Sequence, residues 1–454
     1  MIDAEPDSLH RLIKQAMDSG KARTAEEAAA LLEGYRLTIA FSGSTDSAAH
    51  AALLTTVALA SRVFLGGVTV SGDLDVAQQT PLPLPPTLWA AVEALGARAG
   101  DLVAGVPTIS IGDAGAGARR SPFHVRTAWA GWRGGVLPVD AQDGPDAGPV
   151  MALAPMLSAA LAVNEAFEFV STGRGTAGRI PVGLSLWRPD TDWLGDVGGE
   201  PVLEYLPSRL WLIGLGHLGQ AYLWGLGLLP FPDPGAVDLV LQDDDVITGS
   251  SPSTSILSSA SMKGQRKTRA MAEWARARGF ETHIHERLFD RDYRRQAAEP
   301  TVALCGLDNA EGRRALDKVG FGFVVEAGLG RDYRNFHTIR LHTLPGRRTA
   351  DELWPVRDAV AAPVEHNPAY QELLNSGRLD QCGMTLLAGK AVGAPFVGSV
   401  AACLALSEVL RLIAGGPLND IIDLDLRAIE HIAVVARDRE LELVNPGFVT
   451  AQHY

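Results

Sequence analysis

Three glycines and a run of acidic residues have the types and spacing of a nucleotide-binding site. Gly214, Gly216 and Gly219 follow the pattern G-x-G-x-x-G. Glycines let the backbone turn sharply and approach a phosphate, whose charge a helix N-terminus stabilises. The acidic run Asp243–Asp245 comes after the next predicted strand, where a carboxylate can accept a hydrogen bond from a ribose hydroxyl. The pattern predicts a nucleotide site; the alternative is a tight strand–helix turn that binds no ligand.

Two further residues have side chains suited to phosphate chemistry. Lys267 lies on a predicted helix, where it either reaches a phosphate or is an ordinary surface lysine. Asp308 follows the predicted strand Thr301–Gly306, at the edge where parallel sheets bind ligands. With Asp243–Asp245 it could supply the oxygen ligands that Mg²⁺ prefers. Alternatively, Asp308 caps a predicted helix from Glu311 to Val319. Position alone leaves both interpretations open.

The chain has three cysteines, which excludes a disulfide scaffold and leaves no C-x-x-C pair for zinc. Cys305 lies in a predicted strand and Cys403 in an apolar helix, so we expect both to be core thiols. Cys382 is different, because it follows a polar stretch and precedes Gly383. We predict a loop thiol near Arg378, which is either a nucleophile or an inert surface cysteine.

The elements around these residues alternate between strand and helix. In the second half, a buried strand (Leu210–Ile213), an apolar helix (Ala221–Leu229) and a second strand (Val237–Leu241) enclose the glycines. Continued alternation predicts an α/β fold with doubly wound, mostly parallel sheets. The first half begins with the same strand–turn–helix–strand order, but its turn holds only Gly43. There we expect the fold without a ligand site.

Composition excludes several classes of protein. The chain has 454 residues, 46% of them hydrophobic, and a formal net charge of −13. That charge argues against a partner that is nucleic acid or an anionic membrane. We find no apolar run of bilayer-spanning length and no signal peptide, so the sequence predicts a cytoplasmic protein of two domains.

The second half resembles the E1-like adenylating enzymes, which activate ubiquitin and ubiquitin-like proteins, and their sulfur-carrier relatives. The resemblance spans Leu210 to about Ile413. It rests on four features in order: Gly214–Gly219, Asp243–Asp245 before a serine-containing loop, Gly264–Lys267, and Leu307–Asn309 followed by Arg313 and Arg314.

The resemblance implies ATP and Mg²⁺ as cofactors and assigns roles to the matching residues. The ubiquitin-like protein's C-terminal carboxylate would attack the α-phosphate of ATP, giving an acyl-adenylate and pyrophosphate. Lysine and magnesium would stabilise the charge. Asp308 would bind the metal, and the nucleotide would be held by Gly214, Gly216, Gly219, Asp243, Asp245, Lys267 and Asn309.

Two further residues are assigned catalytic roles by the same resemblance. The segment Arg378–Cys382 is similar to the catalytic-cysteine segment of autophagy-type E1 enzymes, which implies that Cys382 forms a thioester before transfer to an E2-like protein. The family's N-terminal helix supplies an arginine to the active site, and Arg11 is the candidate here.

Family organisation implies an internal pseudo-dimer. Residues 1–170 would be a degenerate adenylation domain, 171–207 a linker, 208–436 the active domain with its cysteine segment, and 437–454 a polar tail. A bacterial E1 from a ubiquitin-like conjugation system linked to antiphage defence fits this layout. One departure stands out: Thr254 and Ser255 occupy the positions where the family has an ATP-contacting arginine and glutamine.

Three other functions are alternatives to this one. The first is adenylation of a substrate without a thioester step, as in sulfur-carrier and peptide-modifying enzymes. The change at Thr254 and Ser255 would also suit a catalytically dead nucleotide-binding scaffold. A dehydrogenase fits less well, because Lys267 and Asp308–Asn309 would have no role in it.

Overall fold

The computed structural model describes residues 3–43, 45–112, 121–146, 148–195, 198–356, 367–438, 441 and 444–452. Within these ranges the chain forms a seven-stranded sheet, an eight-stranded sheet and a two-stranded sheet.

The first half builds the seven-stranded sheet in the order β3-β2-β1-β4-β5-β6-β7. Its strands are β1 (Leu37–Phe41), β2 (Val68–Ser71), β3 (Arg98–Ala99), β4 (Thr108–Ile111), β5 (His124–Ala130), β6 (Arg133–Pro138) and β7 (Val182–Ser185). Its helices are α1 (Arg11–Asp18), α2 (Ala25–Glu33), α3 (Ser47–Ala60), α4 (Leu88–Ala94) and α5 (Leu153–Thr172).

The second half builds the eight-stranded sheet in the order β11-β10-β9-β12-β13-β14-β15-β16, beside the pair β17-β8. Its strands are β8 (Tyr205–Pro207), β9 (Arg209–Ile213), β10 (Asp238–Gln242), β11 (Glu281–His285), β12 (Val302–Cys305), β13 (Phe323–Leu329), β14 (Thr338–Leu344), β15 (Asn419–Asp425), β16 (Ala433–Ala436) and β17 (Phe448–Thr450). Its helices are α6 (His217–Leu228), α7 (Lys267–Ala277), α8 (Ala310–Arg313), α9 (Ala350–Leu353), α10 (Pro368–Asn375), α11 (Gln381–Gly389) and α12 (Pro395–Ala414).

The two large sheets follow one plan. In each, the first five strands in sequence pair in parallel and the later strands pair antiparallel. The first strand lies inside the sheet, and the second and third extend it on one side. A long helix, α5 or α12, precedes the seventh strand, β7 or β15, of each large sheet. The predicted α/β class with mostly parallel sheets is confirmed.

The register of the second sheet aligns the carboxyl ends of β9, β10 and β12 next to the glycine turn. Ile213 pairs with Gln242 on one side and with Cys305 on the other. The segments that leave β9, β10 and β12 therefore begin side by side at the carboxyl ends of parallel strands.

The halves pack through their helices. Trp224 in α6 donates from Nε1 to Thr55 Oγ1 in α3 at 3.0 Å. Asn164 in α5 donates to the carbonyl of Leu426 at 3.3 Å, and one cluster of buried residues runs through both halves. Two helices, α5 and α12, have the length and composition of a membrane span, so our expectation that no run reaches that length was wrong. In both, 89% of the apolar window is buried, as in core helices of soluble proteins.

Some boundaries differ from those expected. Val182–Ser185 pairs with β6, so the first sheet extends into the segment predicted as a linker. Phe448–Thr450, in the predicted polar tail, pairs with β8. The helix predicted from Glu311 to Val319 is shorter and ends at Arg313, because the amides of Ala315, Leu316 and Lys318 bond to carbonyls three residues back instead of four.

Candidate active site

Each glycine of the turn between β9 and α6 meets a different requirement. Gly214 has φ +82°, a conformation that favours glycine. A Cβ at Gly216 would meet open space, so a ligand can approach the backbone there. A Cβ at Gly219 would overlap the carbonyl oxygen of Gly214, so this glycine permits close packing of α6 on the turn. Gly219 is not among the described residues that line the cleft next to this turn.

Asp243 links the acidic run to this turn. Its Oδ2 accepts from Leu215 N at 2.6 Å, and its Oδ1 accepts from Asp245 N at 2.8 Å. Burial raises the pKa of Asp243, against the lowering effect of Lys267 and of the two amides. The carboxylate therefore fixes the glycine turn from the neighbouring strand.

Lys267 begins α7 and faces the acidic run. Its Nζ lies 2.7 Å from Asp245 Oδ2 and 3.6 Å from Asp243 Oδ1. Burial lowers the pKa of Lys267, but Asp243, Asp245 and Asp308 outweigh it and raise that pKa above the ordinary value. The ammonium group is thus a fixed positive charge at the sheet edge. The surface-lysine alternative does not describe its position, because only 15% of the side chain is exposed.

Asp308 and Asn309 follow β12 at the same edge. Asn309, not Asp308, caps α8, since its Oδ1 accepts from Gly312 N at 2.7 Å. The capping interpretation of Asp308 was therefore wrong. Its carboxylate is exposed at the cleft, and its carbonyl oxygen accepts from Arg331 Nη1 at 3.4 Å.

The N-terminal segment reaches across to this edge. Arg11, the first residue of α1, donates from Nη2 to Ser250 Oγ at 2.8 Å. Its backbone N donates to Ser253 Oγ at 3.3 Å, and Asp7 O accepts from Ser250 N at 2.8 Å. Burial lowers the pKa of Arg11 while Asp7 opposes the shift. A guanidinium from the first half therefore lies against the serine-rich loop after β10.

Together these groups line a cleft of about 690 Å³, within the usual size of a small-molecule site. Thr254 and Ser255 lie on its wall. Of the predicted site residues, those on the wall are Arg11, Gly214, Gly216, Asp243, Asp245, Lys267, Asp308 and Asn309.

Several wall residues were missed by sequence reasoning. Arg331 lies two residues past β13, a position at the carboxyl edge that could have identified it. Lys390 follows α11 and pairs with Asp7 at 2.6 Å, a contact that no sequence spacing indicates. Arg287 and Phe336 lie on the wall because of tertiary packing alone. With them, the described part of the cleft wall has six arginine and lysine side chains: Arg11, Lys267, Arg287, Arg313, Arg331 and Lys390.

Cys382 lies in the first turn of α11 and is exposed, so the prediction of a loop thiol was wrong. Asp380 caps this helix by accepting from Gly383 N at 2.7 Å, which starts it ahead of the cysteine. Arg378 pairs with Glu26 in α2, with 2.9 Å between the charged atoms. Cys382 is not among the described cleft residues, but α11 ends at Gly389, which is, about 10 Å further along the axis. The other two cysteines, Cys305 and Cys403, are buried as expected.

Comparison with known proteins agrees with the division of the chain into two halves. Models of the BilD N-terminal and C-terminal domains match residues 36–186 and 206–416. The bacterial E1-like protein BilD of Collimonas sp. (strain OK412) is 46% identical over 422 residues, covering 91% of this chain and 90% of that protein.

Two solved structures of E. coli MccB also match, one with MccA-N7isoASN and one with ATP. They are 17% and 15% identical, and each has a TM-score of 0.35. Each match covers 51% of this chain and 65% of the solved chain, so less than two thirds of the solved protein is spanned. The relationship inferred from the sequence is confirmed by the two family models and the curated relative: this chain belongs to the family of bacterial E1-like BilD proteins.

Proposed function

We propose that this chain uses ATP to adenylate the C-terminus of a ubiquitin-like protein, then holds that protein as a thioester on Cys382. One observation carries the proposal: the cleft unites an open glycine turn, the half-buried cation Lys267 and the exposed carboxylate of Asp308 at one sheet edge. The solved relative MccB was crystallised with ATP, and the curated relative is described as E1-like.

The cleft residues suit the parts of ATP. Phosphates would lie over Gly216 at the N-terminus of α6, where the helix dipole favours anions. Lys267 and Arg11 would neutralise them. Asp243 and Asp245 would accept from the ribose. Each Asp243 oxygen accepts from one backbone amide and Asp245 Oδ2 accepts from Lys267 Nζ, so each of these oxygens keeps a second lone pair. Asn309 would contact the nucleotide beside them.

The donor set also fits Mg²⁺, which we propose as the metal cofactor. The ion prefers carboxylate oxygens, and Asp308 presents an exposed one at the cleft. One carboxylate oxygen from each of Asp243, Asp244 and Asp245 also lies within 4.8 Å of the others. When bound, the ion would neutralise charge on the phosphates.

The first step is substitution at phosphorus. A carboxylate oxygen of the carrier's C-terminus attacks the α-phosphorus, the bond to the bridging oxygen breaks, and pyrophosphate leaves. In the second step the Cys382 thiolate attacks the acyl carbon, AMP leaves, and the thiol proton passes to solvent. Cys382 lies about 10 Å along the axis of α11 from the wall residue Gly389, and we propose that α11 moves to bring the thiolate to the acyl carbon.

The proposal extends to partners and setting. A ubiquitin-like protein would be the substrate and an E2-like protein the acceptor from Cys382, with neither nucleic acid nor membrane as partner. The first half would be the inactive member of an internal pair, since its sheet repeats the strand order of the second. We place the chain in the cytoplasm, in a conjugation system that serves antiviral defence.

The test is to mix the chain with ATP, Mg²⁺ and the ubiquitin-like protein encoded beside it, followed by non-reducing electrophoresis. We expect a covalent adduct that DTT removes. Cys382→Ala should abolish it, whereas Cys403→Ala, a buried cysteine, should retain it. An adduct unchanged in Cys382→Ala would refute the thioester step.

A second candidate is adenylation without a thioester, and the position of Cys382 outside the described cleft wall favours it. Full product formation by Cys382→Ala would support this candidate. A dead nucleotide-binding scaffold is the third, motivated by Thr254 and Ser255. ATP binding without pyrophosphate release in the presence of the carrier would identify it.

A further inference from the structure

Arg62 belongs to the first half but holds a loop of the second. It lies two residues past α3, and its Nε donates to Ser255 O at 3.3 Å. Its Nη2 donates to Ile256 O at 2.7 Å and to Ser258 O at 3.1 Å. Its Nη1 donates to Ala58 O at 2.5 Å, which also fixes the guanidinium to the end of α3. One side chain thus anchors three carbonyl oxygens of the neighbouring half.

The anchored loop forms part of the cleft wall. Ser255 lines the cleft, and Gln220 in α6 also holds the same loop. Gln220 accepts from Leu257 N at 3.0 Å and donates to Ser258 Oγ at 2.9 Å. It also donates to Leu215 O, in the glycine turn, at 3.1 Å. A displacement of the loop would therefore reach the glycine turn through Gln220.

The hydrogen bonds that Arg62 donates to this loop are of a strong and directional kind, which suits a residue that positions the loop. A guanidinium that donates to carbonyls makes charge-assisted bonds, and its planar fork fixes their directions. Burial lowers the pKa of Arg62 to about 10, so the group stays charged at neutral pH. Arg62 is not among the described cleft residues, and any effect on a nucleotide must pass through the loop.

We infer that Arg62 is a positioning residue for the nucleotide cleft: the first half shapes the ATP site of the second by fixing residues 255–258. The inference rests on the proposed use of ATP, but it does not depend on adenylation or on Cys382. On this inference the first half contributes to nucleotide binding through Arg62 and not through the edge of its own sheet.

The test compares Arg62→Ala and Arg62→Lys with wild type in two measurements without carrier: ATP affinity by calorimetry, and hydrogen exchange of the amides of residues 255–258. We expect Arg62→Ala to weaken ATP binding about tenfold or more and to speed exchange in the loop. Arg62→Lys should restore part of the affinity, because an ammonium group donates to fewer of the three carbonyls.

Arg278→Ala is the matched control. Arg278 is a buried arginine that, like Arg62, donates to carbonyl oxygens, here those of Gly227 and Leu229. It is absent from the described cleft wall, so its loss should lower the melting temperature and leave ATP affinity unchanged.

Wild-type ATP affinity in folded Arg62→Ala would overturn the inference, as would an equal loss in Arg278→Ala. If Arg62→Ala does not fold, wild-type affinity in Arg62→Lys overturns it and reduced affinity supports it. ATP binding that depends on Arg62, in a chain that releases no pyrophosphate with its carrier, would refute adenylation and keep this inference. No ATP binding by wild type would refute both.

Discussion

The same edge of the two sheets differs in what it offers a ligand. In the second half, Gly214 has φ +82° and Gly216 faces open space. In the first half, a Cβ at Gly43 would lie 2.7 Å from Ala49 Cβ, and one at Gly72 would overlap the carbonyl oxygen of Phe41. The shared strand order therefore gives both sheets a similar carboxyl edge, but local packing around the glycines decides whether a phosphate can approach the backbone there.

The charges at the two edges differ as well. Lys267 begins α7 in the second half, facing Asp243 and Asp245. The corresponding helix of the first half, α4, begins at Leu88 and is capped by Thr87. The comparison teaches that a nucleotide site on this fold needs a few side chains at fixed positions, and that the duplicated scaffold alone does not create one.

The largest effect should come from removing the Lys267 ammonium group from the edge of the second sheet. Lys267→Ala deprives Asp243 and Asp245 of the lysine that pairs with both and removes a positive charge from beside the phosphates. We expect ATP–pyrophosphate exchange with the carrier to fall on the order of a hundredfold or more. Lys263→Ala, an exposed lysine nearby, is the control and should retain activity. Wild-type exchange in Lys267→Ala would remove the distinction between the edges.

A smaller effect should follow from closing the glycine turn. Gly216→Val fills the open space before α6, and we expect ATP affinity to fall about tenfold while the fold is kept. Gly43→Val in the first half would collide with Ala49, so it should lower the melting temperature without changing ATP affinity per folded molecule. Calorimetric titration of both variants measures the contrast. Equal losses of affinity would show that the first edge also binds ATP.

The change with the smallest expected effect on ATP itself concerns the pH dependence of stability at α1, which joins the first half to the cleft loop. His10 Nδ1 caps α1 by accepting from Leu12 N at 3.2 Å, and burial lowers the pKa of His10 from 6.5 to about 4. The folded state therefore opposes protonation, so this contribution is present above pH 6.5 and is lost as the pH falls from 6.5 towards 4. The loss is at most about 3 kcal/mol.

Chemical denaturation across that pH range tests this expectation. His10→Asn keeps a capping side chain without a titrating group. Its free energy of unfolding should fall less with acidification than that of wild type. Parallel curves for the two proteins would show that His10 does not titrate as expected.

The sequence predicted those parts of the site that depend on local spacing. Gly214 and Asp243 come directly after buried strands, so short-range pattern located them. Lys267 was expected on a helix, but its role at the phosphates came from the family resemblance. The fold class followed from alternating strands and helices. The cap of α8 was assigned to the wrong residue, because Asp308 and its neighbour Asn309 are both good caps.

Tertiary contacts decided the rest. Lys390 reaches the cleft because it pairs with Asp7, far away in sequence. Arg62 acts on a loop almost two hundred residues later in the chain, with |i−j| of 193 for its bond to Ser255. Cys382 was expected in a loop, and the capping bond of Asp380 places it in a helix. No pattern within one segment reports such contacts.

The central claim is that the cleft of the second half activates a protein C-terminus, and intact-mass spectrometry tests it most directly. The ubiquitin-like protein is incubated with Cys382→Ala, ATP and Mg²⁺, so that the thioester step cannot consume the intermediate. The account predicts carrier whose mass has increased by one adenylyl group (AMP less water), and on the order of a hundredfold less of it with Lys267→Ala. Carrier of unchanged mass, under conditions in which calorimetry shows that ATP is bound, would contradict it.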